Sequence, residues 1–306
     1  MTPGIALVTA RAARGLDEDM PPLVAAFAAA GAAAEIVDWD DAAVEWSRFD
    51  AALLRSAWDY AERRHEFLAW AQRTAAQTAL LNPLPVVRWN CDKHYLRDLA
   101  QAGLPVVPTS YAETAADAQR VLADFLEQHA AAELVVKPAV GAGARGTRRH
   151  ARSATAETLA HIRSLLETGR SVMLQPYLED VDVRGESALM FIDGRFSHAV
   201  RKGALLPRDA PATAALFAPE EIAAHTADAA ELATAERILA RLPFEPLLYA
   251  RVDLVRDREG QPRLLELEIT EPSMYFAHAR GSAERFVAAT LARLAVALES
   301  PSPHRR

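Results

Sequence analysis

The sequence has 306 residues, of which 51% are apolar, and a formal net charge of −7. This length and composition indicate two or three compact units around a substantial core, and the scattered basic residues argue against a nucleic-acid partner. The single cysteine, Cys91, excludes an internal disulfide and a cysteine zinc site and indicates a reducing compartment. No segment has the apolar length of a membrane span. We therefore expect a cytoplasmic protein without a nucleic-acid or membrane partner, and the sequence leaves open whether it forms a homo-oligomer.

The amino-terminal segment predicts a small α/β domain. An apolar run at residues 4–10 precedes a helix that prolines open and Gly31 closes, and the strands EIVDW and DAALLRS follow. This order favours parallel pairing of the strands. No G-x-G-x-x-G follows the first strand, so the sequence does not predict a dinucleotide-binding domain.

The third strand ends in RSAWDY, residues 55–60. Ligands of open α/β sheets bind beyond the carboxyl ends of the strands, and this hexapeptide places a guanidinium, a carboxylate and two aromatic rings there. Packing at a helix entry would use the same residues, and we weigh the two interpretations equally. The candidate substrate residues are Arg55, Trp58, Asp59 and Tyr60.

Lysine is scarce in this chain. Of its 34 basic residues only Lys93, Lys137 and Lys202 are lysines. A compact ammonium fits between phosphate oxygens where a planar guanidinium does not, so the three are candidate phosphate ligands. The alternative is that they are ordinary surface lysines. Lys93 lies in the first turn of a predicted helix that Asn90 could cap, where a cation needs an anionic partner.

A glycine-rich loop, VGAGARG, follows the predicted strand that ends near Lys137. Its residues Gly141, Gly143 and Gly146 match G-x-G-x-x-G, which alone is a weak signal. A strand-like segment follows instead of the helix that a dinucleotide fold requires. Strand, glycine loop and strand are typical of a flap over phosphates, where backbone N–H groups approach oxygen closely.

Two predicted hairpins follow. The first joins ESALMFI and RFSHAVRKG through Asp193-Gly194 and ends in Arg201 and Lys202. From Leu206 to Ala218 the sequence predicts a mobile loop. The second hairpin, within residues 251–273, joins YARVDLV and RLLELEI, and strand alternation places Asp253, Glu266 and Glu268 on one face. Three like charges there require a cation, and carboxylate oxygens suit Mg²⁺ or Mn²⁺. A solvated acidic face is the alternative.

Taken in order, these features resemble the ATP-grasp superfamily. They comprise a lysine on an early helix, a lysine before a glycine flap, Q-P-Y-L followed by acids, an arginine at a strand tip, and Asp with Glu-x-Glu. The resemblance implies an amino-terminal α/β domain followed by a two-subdomain ATP-grasp fold of mixed α/β and α+β class. We expect an amino-terminal domain at residues 1–86, a subdomain with the glycine flap at 87–174 and a subdomain with the metal site at 175–306.

The resemblance also implies residue roles. It assigns catalysis to Arg201 and Lys202, and Mg²⁺ or Mn²⁺ binding to Asp253, Glu266 and Glu268. Glutathione-synthetase-like members usually have Glu-x-Asn where this chain has Glu-x-Glu, which leaves the number of metal ions open. To the substrate candidates it adds Glu186 and Ser273. The ATP-binding candidates are Lys93, Lys137, Gly141, Gly143, Gly146, Gln175, Pro176, Tyr177, Leu178, Asp180 and Asp182.

More narrowly, RSAWDY, NCDKHYL, VRKG and LELEITEPS together resemble the D-cycloserine synthetase branch, whose members cyclise O-ureido-D-serine. The resemblance implies an ATP- and Mg-dependent carboxylate-amine ligase that acts through an acyl phosphate on a small amino-acid-like substrate. A ligase that joins two substrates, a small-molecule kinase and a nucleotide-binding regulator without catalysis are the alternatives. The substrate and its stereochemistry are not readable from the residues themselves.

Overall fold

The computed structural model describes residues 2–206, 213, 215–218 and 220–299. The amino-terminal unit comprises β1 (Gly4–Thr9), α1 (Met20–Ala29), β2 (Ala33–Asp38), β3 (Ala51–Ser56), α2 (Arg64–Ala75) and β4 (Ala79–Leu81). Its strands form a parallel sheet in the order β2-β1-β3-β4. β1 and β3 are almost continuously apolar and buried, as expected for parallel strands covered on both faces. The predicted parallel pairing is confirmed.

Two short helices lead out of this unit, α3 (Leu84–Asn90) and α4 (Tyr95–Gln101). The prediction of one helix capped by Asn90 is wrong, because Asn90 is the last residue of α3 and its side chain is buried. Its amide donates to the Leu267 carbonyl at 2.7 Å and accepts from the Ile269 N–H at 3.0 Å. Lys93 therefore lies in the turn between the two helices, held close to the second hairpin.

The second unit is an antiparallel sheet flanked by two helices. It comprises β5 (Ser110–Ala112), α5 (Ala118–Gln128), β6 (Glu133–Pro138), β7 (Arg148–Ala151), α6 (Thr155–Glu167) and β8 (Val172–Pro176). The strand order is β5-β8-β6-β7. β6 and β7 pair directly, so the predicted strand, glycine loop and strand arrangement is confirmed. The predicted boundary between residues 174 and 175 falls inside β8, which completes this sheet.

The third unit contains the two hairpins. It comprises α7 (Val181–Arg184), β9 (Glu186–Ile192), β10 (Arg195–Lys202), β11 (Ile222–His225), α8 (Ala229–Leu239), β12 (Tyr249–Arg256) and β13 (Pro262–Glu268). The antiparallel strand order is β11-β10-β9-β12-β13. Asp193 and Gly194 both have positive φ, as a tight hairpin turn of this type requires. The predicted loop from Leu206 to Ala218 lies in large part outside the described residues.

The last helix, α9 (Ser282–Glu299), packs against α1 and joins the first and third units. One apolar core runs through both, with Leu7 of β1, Met190 of β9, Tyr249 of β12 and Phe286 of α9 all buried in it. This shared core fixes the amino-terminal sheet against the second hairpin. None of the helices within the described ranges is long and apolar enough to span a bilayer.

Candidate active site

A cavity of about 570 Å³ lies where the three units meet. It is bounded by the loop after β1, the end of β3, the glycine loop, the strand ends of the second sheet and one face of the β12–β13 hairpin. Among the predicted site residues, those that line it are Trp58, Tyr60, Lys93, Lys137, Gly141, Gly143, Gln175, Pro176, Tyr177, Leu178, Glu186, Lys202, Glu266, Glu268 and Ser273.

Two of the three lysines lie side by side at one end of this cavity. Lys93 is 6% exposed, and its Nζ lies 3.0 Å from Glu266 Oε1 and donates to the Gly141 carbonyl at 2.5 Å. Lys137, at the end of β6, is 9% exposed and has no hydrogen bond or ion pair with a described residue. Burial lowers the pKa of Lys137 despite the attraction of Glu266. A buried ammonium without an anion is a site for an anionic ligand.

The glycine loop covers these lysines. Gly143 has a φ of +62°, which favours glycine, and its carbonyl accepts from the Ala218 N–H at 3.1 Å. A Cβ at this position would collide with the backbone of Leu216 and Phe217. Glycine is therefore needed at Gly143 both for the backbone conformation and for the close approach of residues 215–218.

Lys202, the third lysine, lies opposite Glu186 in the register of β9 and β10. Its Nζ lies 3.2 Å from Glu186 Oε2, 3.2 Å from Asp253 Oδ2 and 3.5 Å from Glu220 Oε1. Burial alone would lower the pKa of Lys202, but the charges of Asp253 and Glu186 raise it well above its usual value. Lys202 is thus a fixed cation among three acids.

The acidic face of the second hairpin contains four charged residues. The ladder pairs Asp253 with Glu266 and Arg251 with Glu268, so all four project from the same face. The Arg251 guanidinium donates to both oxygens of Asp253, at 2.8 and 2.9 Å, and also to Glu268. Asp253, Glu266 and Glu268 lie on one face, as the strand alternation predicted, with Arg251 as an additional member that the sequence analysis missed. Arg251, Glu266 and Glu268 line the cavity, whereas Asp253 is 1% exposed and lies behind its wall.

The carboxyl groups of this face differ in their ionisation. Burial raises the pKa of Asp253, but Arg251 and Lys202 outweigh it and lower the pKa below its usual value. Lys93 and Lys137 lower the pKa of Glu266 in the same way. Burial, together with the charges of Glu266 and Asp253, raises the pKa of Glu268 to about 7 although Arg251 opposes the rise. Negative charge is therefore in excess around Glu268, as the Glu-x-Glu pattern suggested.

A divalent metal fits this face only together with further oxygen ligands. Among the residues that the structure describes, no group of three or more His, Cys, Asp or Glu side chains is arranged to hold a metal ion. Mg²⁺ in nucleotide sites is typically held by one or two carboxylates together with phosphate oxygens and water. The chemistry of Asp253, Glu266 and Glu268 fits that pattern, with the nucleotide supplying the remaining ligands.

The segment Gln175 to Leu178 forms another wall of the cavity. The Gln175 amide donates to the Thr109 hydroxyl at 2.9 Å, and the Tyr177 N–H donates to the Glu133 carbonyl at 3.0 Å. The Tyr177 ring is stacked 3.5 Å under the Arg149 guanidinium. These contacts hold the segment in a fixed position at the junction of the second and third units.

The opposite end of the cavity is formed by the amino-terminal unit and the segment after β13. The Trp58 indole N–H donates to the Glu271 carbonyl at 3.3 Å, and Tyr60 is 5% exposed. Burial, and then the charge of Glu271, raise the pKa of Tyr60 well above its usual value. Arg251 reaches this end as well, since it donates to the Ser273 carbonyl at 3.1 Å.

Comparison with known proteins identifies the family. Residues 5–82 match the family model "D-cycloserine synthetase DcsG, N-terminal domain", and residues 105–277 match "Prokaryotic glutathione synthetase, ATP-grasp domain". The cycloserine biosynthesis protein DcsG of Streptomyces lavendulae is 42% identical over 95% of this chain and 98% of its own length. The chain belongs to the D-cycloserine synthetase family of ATP-grasp ligases.

Solved structures of ATP-grasp proteins agree with this assignment. The crystal structure of D-cycloserine synthetase DcsG matches with a TM-score of 0.90 and 42% identity, covering 95% of this chain and 99% of the other. The ATP-grasp ligase PsnB, solved with a precursor variant, Mg and ADP, has a TM-score of 0.61 at 18% identity, covering 96% and 99%. The second match supports the fold alone. ATP-grasp enzymes generally use ATP and Mg²⁺.

For this ATP-grasp ligase, the predicted catalytic role of Arg201 does not agree with the geometry. Arg201 does not line the cavity, and its guanidinium donates to the His225 ring at 2.9 Å and lies 3.7 Å from Glu231. Neighbouring residues of a strand project from opposite faces, so Arg201 and Lys202 cannot both face the cavity. Arg251 of β12, in contrast, lines the cavity.

The structure also separates the residues of RSAWDY. Arg55 is fully buried behind the cavity, where it donates to the Pro272 carbonyl at 2.7 Å and lies 3.6 Å from Asp19. Asp59 accepts from the Trp39 indole at 2.8 Å and from Arg63 at 3.4 Å. Neither lines the cavity, so the positions of Arg55 and Asp59 do not support the predicted contacts with substrate. Trp58 and Tyr60 remain candidates.

Three predicted nucleotide-binding residues also lie outside the cavity wall. Asp182 accepts from Arg149 at 3.0 Å and from the Tyr177 hydroxyl at 2.5 Å, and Asp180 pairs with Arg184 at 3.2 Å. Gly146 packs near Leu165 of α6 instead of facing the cavity. A ribose contact from Asp180 or Asp182 is therefore not supported by their positions, since Arg149 and Arg184 already occupy their carboxylates.

Arg251, Glu271 and Asp17 are among the charged cavity-lining residues that the sequence analysis missed, as are Asp19 and Glu220. Arg251 has the same parity as Asp253 on β12, so strand alternation alone could have identified it. Asp17 lies on the loop after β1, and its Oδ1 accepts from the Asp19 N–H at 3.0 Å. Glu271 follows the hairpin. Neither Asp17 nor Glu271 belongs to a periodic pattern, so no signal in the sequence marked them.

Proposed function

We propose that this chain uses ATP and Mg²⁺ to activate the carboxylate of O-ureido-D-serine and closes the molecule to D-cycloserine. The observation that supports this most strongly is that one cavity joins the buried lysines to Trp58 and Tyr60 of the amino-terminal unit. A nucleotide at the first end and a small amino acid at the second would meet over the second hairpin. The similarity to D-cycloserine synthetase covers 95% of the chain and so extends over all three units, which favours this substrate.

The nucleotide would occupy the lysine end. Lys93 and Lys137 would hold its phosphates, with the glycine loop of Gly141 and Gly143 closing over them, and residues 175–178 would contact the adenine edge. Mg²⁺, or Mn²⁺ in its place, would be held by Asp253, Glu266 and Glu268 together with phosphate oxygens, and would neutralise charge on the transferred group. Trp58, Tyr60, Glu186 and Ser273 remain candidate substrate contacts.

The proposed chemistry explains why cations are concentrated at one end. A carboxylate is a poor acyl donor, and transfer of the γ-phosphoryl group to it gives an acyl phosphate with a good leaving group. Such a transfer depends on positioning and on charge neutralisation, for which Lys137, Lys202 and Arg251 are in place. The oxygen-bound nitrogen of the ureido group then attacks the acyl carbon and phosphate departs. Hydrolysis of the carbamoyl group on that nitrogen, which leaves as carbon dioxide and ammonia, completes the conversion to D-cycloserine. The covering glycine loop would exclude water that could hydrolyse the acyl phosphate.

The test is turnover with a single amino-acid substrate. Purified protein is given ATP, Mg²⁺ and O-ureido-D-serine, and ADP release and product mass are followed together. We expect ADP formation and the mass of the cyclic product without any second amino acid. Product that forms only after a second amino acid is added would replace the cyclase with a ligase that joins two substrates. ADP formation with a stable phosphorylated product would indicate a kinase.

A further inference from the structure

The substrate end of the cavity contains a buried acid without a partner. Glu271 is 8% exposed and lines the cavity. Its backbone carbonyl accepts from Trp58, but no hydrogen bond or ion pair from another described residue reaches its carboxyl group. An unpaired carboxyl group so deep in a protein is costly unless a ligand completes it.

The surroundings of this carboxyl group are predominantly negative. Burial, and then the charge of Glu268, raise the pKa of Glu271 to about 8, and Glu266 acts in the same direction. Lys93 and Arg251 oppose the rise, but Lys93 pairs with Glu266, and Arg251 pairs with Asp253 and Glu268. Neither of these two cations is therefore left over for Glu271. A cation that enters with the substrate would find both a hydrogen-bond acceptor and a favourable potential there.

The neighbouring Asp17 provides an instructive contrast. Asp17 is a second buried acid that lines the cavity, and its Oδ1 accepts from the Asp19 N–H. Burial raises the pKa of Asp17, but the adjacent Arg55 lowers it, and hydrogen bonding from Ser56 also acts to lower it. For Glu271 the largest influences on the pKa are burial and the charge of Glu268, and both raise it. Of the two acids, Glu271 is the one whose largest charged neighbour is another acid.

We propose that Glu271 binds the α-ammonium group of the substrate and, with the rings of Trp58 and Tyr60 beside it, positions the substrate carboxylate toward the nucleotide end. This role rests on the proposed cyclisation of O-ureido-D-serine. A ligand ammonium supplies the missing donor, and aromatic rings next to a bound ammonium add a favourable interaction. Glu271 is thus a specificity-determining residue for substrates that carry a free amino group.

The test compares two substrates in two proteins. The first substrate is O-ureido-D-serine and the second is 3-(ureidooxy)propanoate, the same molecule without its amino group. Glu271→Gln keeps the shape of the side chain and removes its charge. We expect the variant to raise KM for O-ureido-D-serine by about 10- to 100-fold, the usual value of a charge-assisted hydrogen bond. KM for ATP and KM for the analogue should not change.

Asp59→Asn is the matched control, because it removes an acid of the same region that does not line the cavity. We expect it to leave the KM for O-ureido-D-serine unchanged. Glu271→Asp keeps the charge and should therefore retain part of the discrimination between the two substrates. It replaces Glu271→Gln as the test variant if Glu271→Gln does not fold. An unchanged KM for O-ureido-D-serine in Glu271→Gln would overturn the proposal. An equal loss for both substrates would overturn it too, because it would indicate a structural role.

A wrong assignment of the cyclisation reaction gives a different result from a wrong assignment of Glu271. If the wild-type protein forms no cyclic product from O-ureido-D-serine, the proposed function is wrong, and binding of the same two compounds is then measured by calorimetry. Weaker binding of the compound without the amino group, seen in the wild type and lost in Glu271→Gln, would still support the ammonium site. Equal binding of the two compounds, or no binding of either, would overturn it.

Discussion

The two ends of the cavity differ in how the protein balances its charges. At the nucleotide end Lys93, Lys202 and Arg251 each pair with acids of the site, whereas Lys137 has no ion pair with any residue that the structure describes. At the amino-terminal end the reverse holds, because Glu271 is buried without a cation. Each end is thus incomplete by one charge of opposite sign. A ligand with phosphates at one end and an ammonium at the other would complete both.

The nucleotide end is where we expect the largest effect of a single substitution. Arg251→Ala leaves Asp253 and Glu268 without their shared partner and removes a cation from the site of phosphoryl transfer. We expect kcat to fall by about 100- to 1,000-fold. Arg201→Ala, which removes an arginine from the opposite face of the neighbouring strand, should change kcat by less than about threefold.

These kinetics are measured as ADP release at saturating ATP and Mg²⁺, with circular dichroism to confirm that both variants fold. A loss in Arg201→Ala as large as that in Arg251→Ala would show that the cavity face has been assigned to the wrong arginine.

A smaller effect is expected at Lys137. Lys137→Ala should raise KM for ATP by about 10- to 100-fold, because it removes a buried ammonium that pairs with no anion in the described part of the chain. Lys137→Arg should restore little of this loss, since a planar guanidinium does not fit a site shaped for a compact charge. Isothermal titration with a non-hydrolysable ATP analogue measures the effect directly. Full rescue by arginine would mean that charge alone is required there.

The smallest expected effect concerns stability and needs no substrate. Burial raises the pKa of Glu271 to about 8, whereas an unfolded chain has a glutamate pKa of about 4.3. The folded protein therefore holds this proton more tightly, and the stability that it contributes is lost as pH rises from about 4.3 to about 8. Glu271→Gln has no ionisable group at this position, so the variant does not lose this stability as the pH rises.

We expect the difference in melting temperature, variant minus wild type, to increase by a few degrees as the pH rises from 5 to 9. Thermal denaturation of the apoprotein across this range measures it. Parallel curves for the two proteins would mean that Glu271 ionises as freely as an exposed glutamate.

The difference between the two ends of the cavity also explains which site residues the sequence could predict. Lysine scarcity and strand alternation identified most of the nucleotide end, because a phosphate site needs compact cations and a strand places every second residue on one face. Arg201 was misplaced because two neighbouring strand residues were both assigned to the cavity. Alternation would have excluded one of them and would have included Arg251, two residues before Asp253.

The substrate end depends on contacts between distant parts of the chain. Arg55 donates to the carbonyl of Pro272, 217 residues away, and lies behind the cavity wall. Asp59 is occupied by Trp39, which the sequence gives no means of pairing with it. Glu271 becomes a site residue only because Trp58 and the β13 end meet across the cavity. Such contacts follow from the assembled fold and leave no periodic signal.

The most direct test of the account follows one oxygen atom. O-ureido-D-serine labelled with ¹⁸O in its carboxylate is incubated with the wild-type protein, ATP and Mg²⁺, and the released phosphate is examined by mass spectrometry. If the nucleotide end activates the carboxylate as an acyl phosphate, one labelled oxygen passes to each phosphate released during ring closure. Cyclic product accompanied by unlabelled phosphate would contradict the account, because the carboxylate would then not have accepted the phosphoryl group.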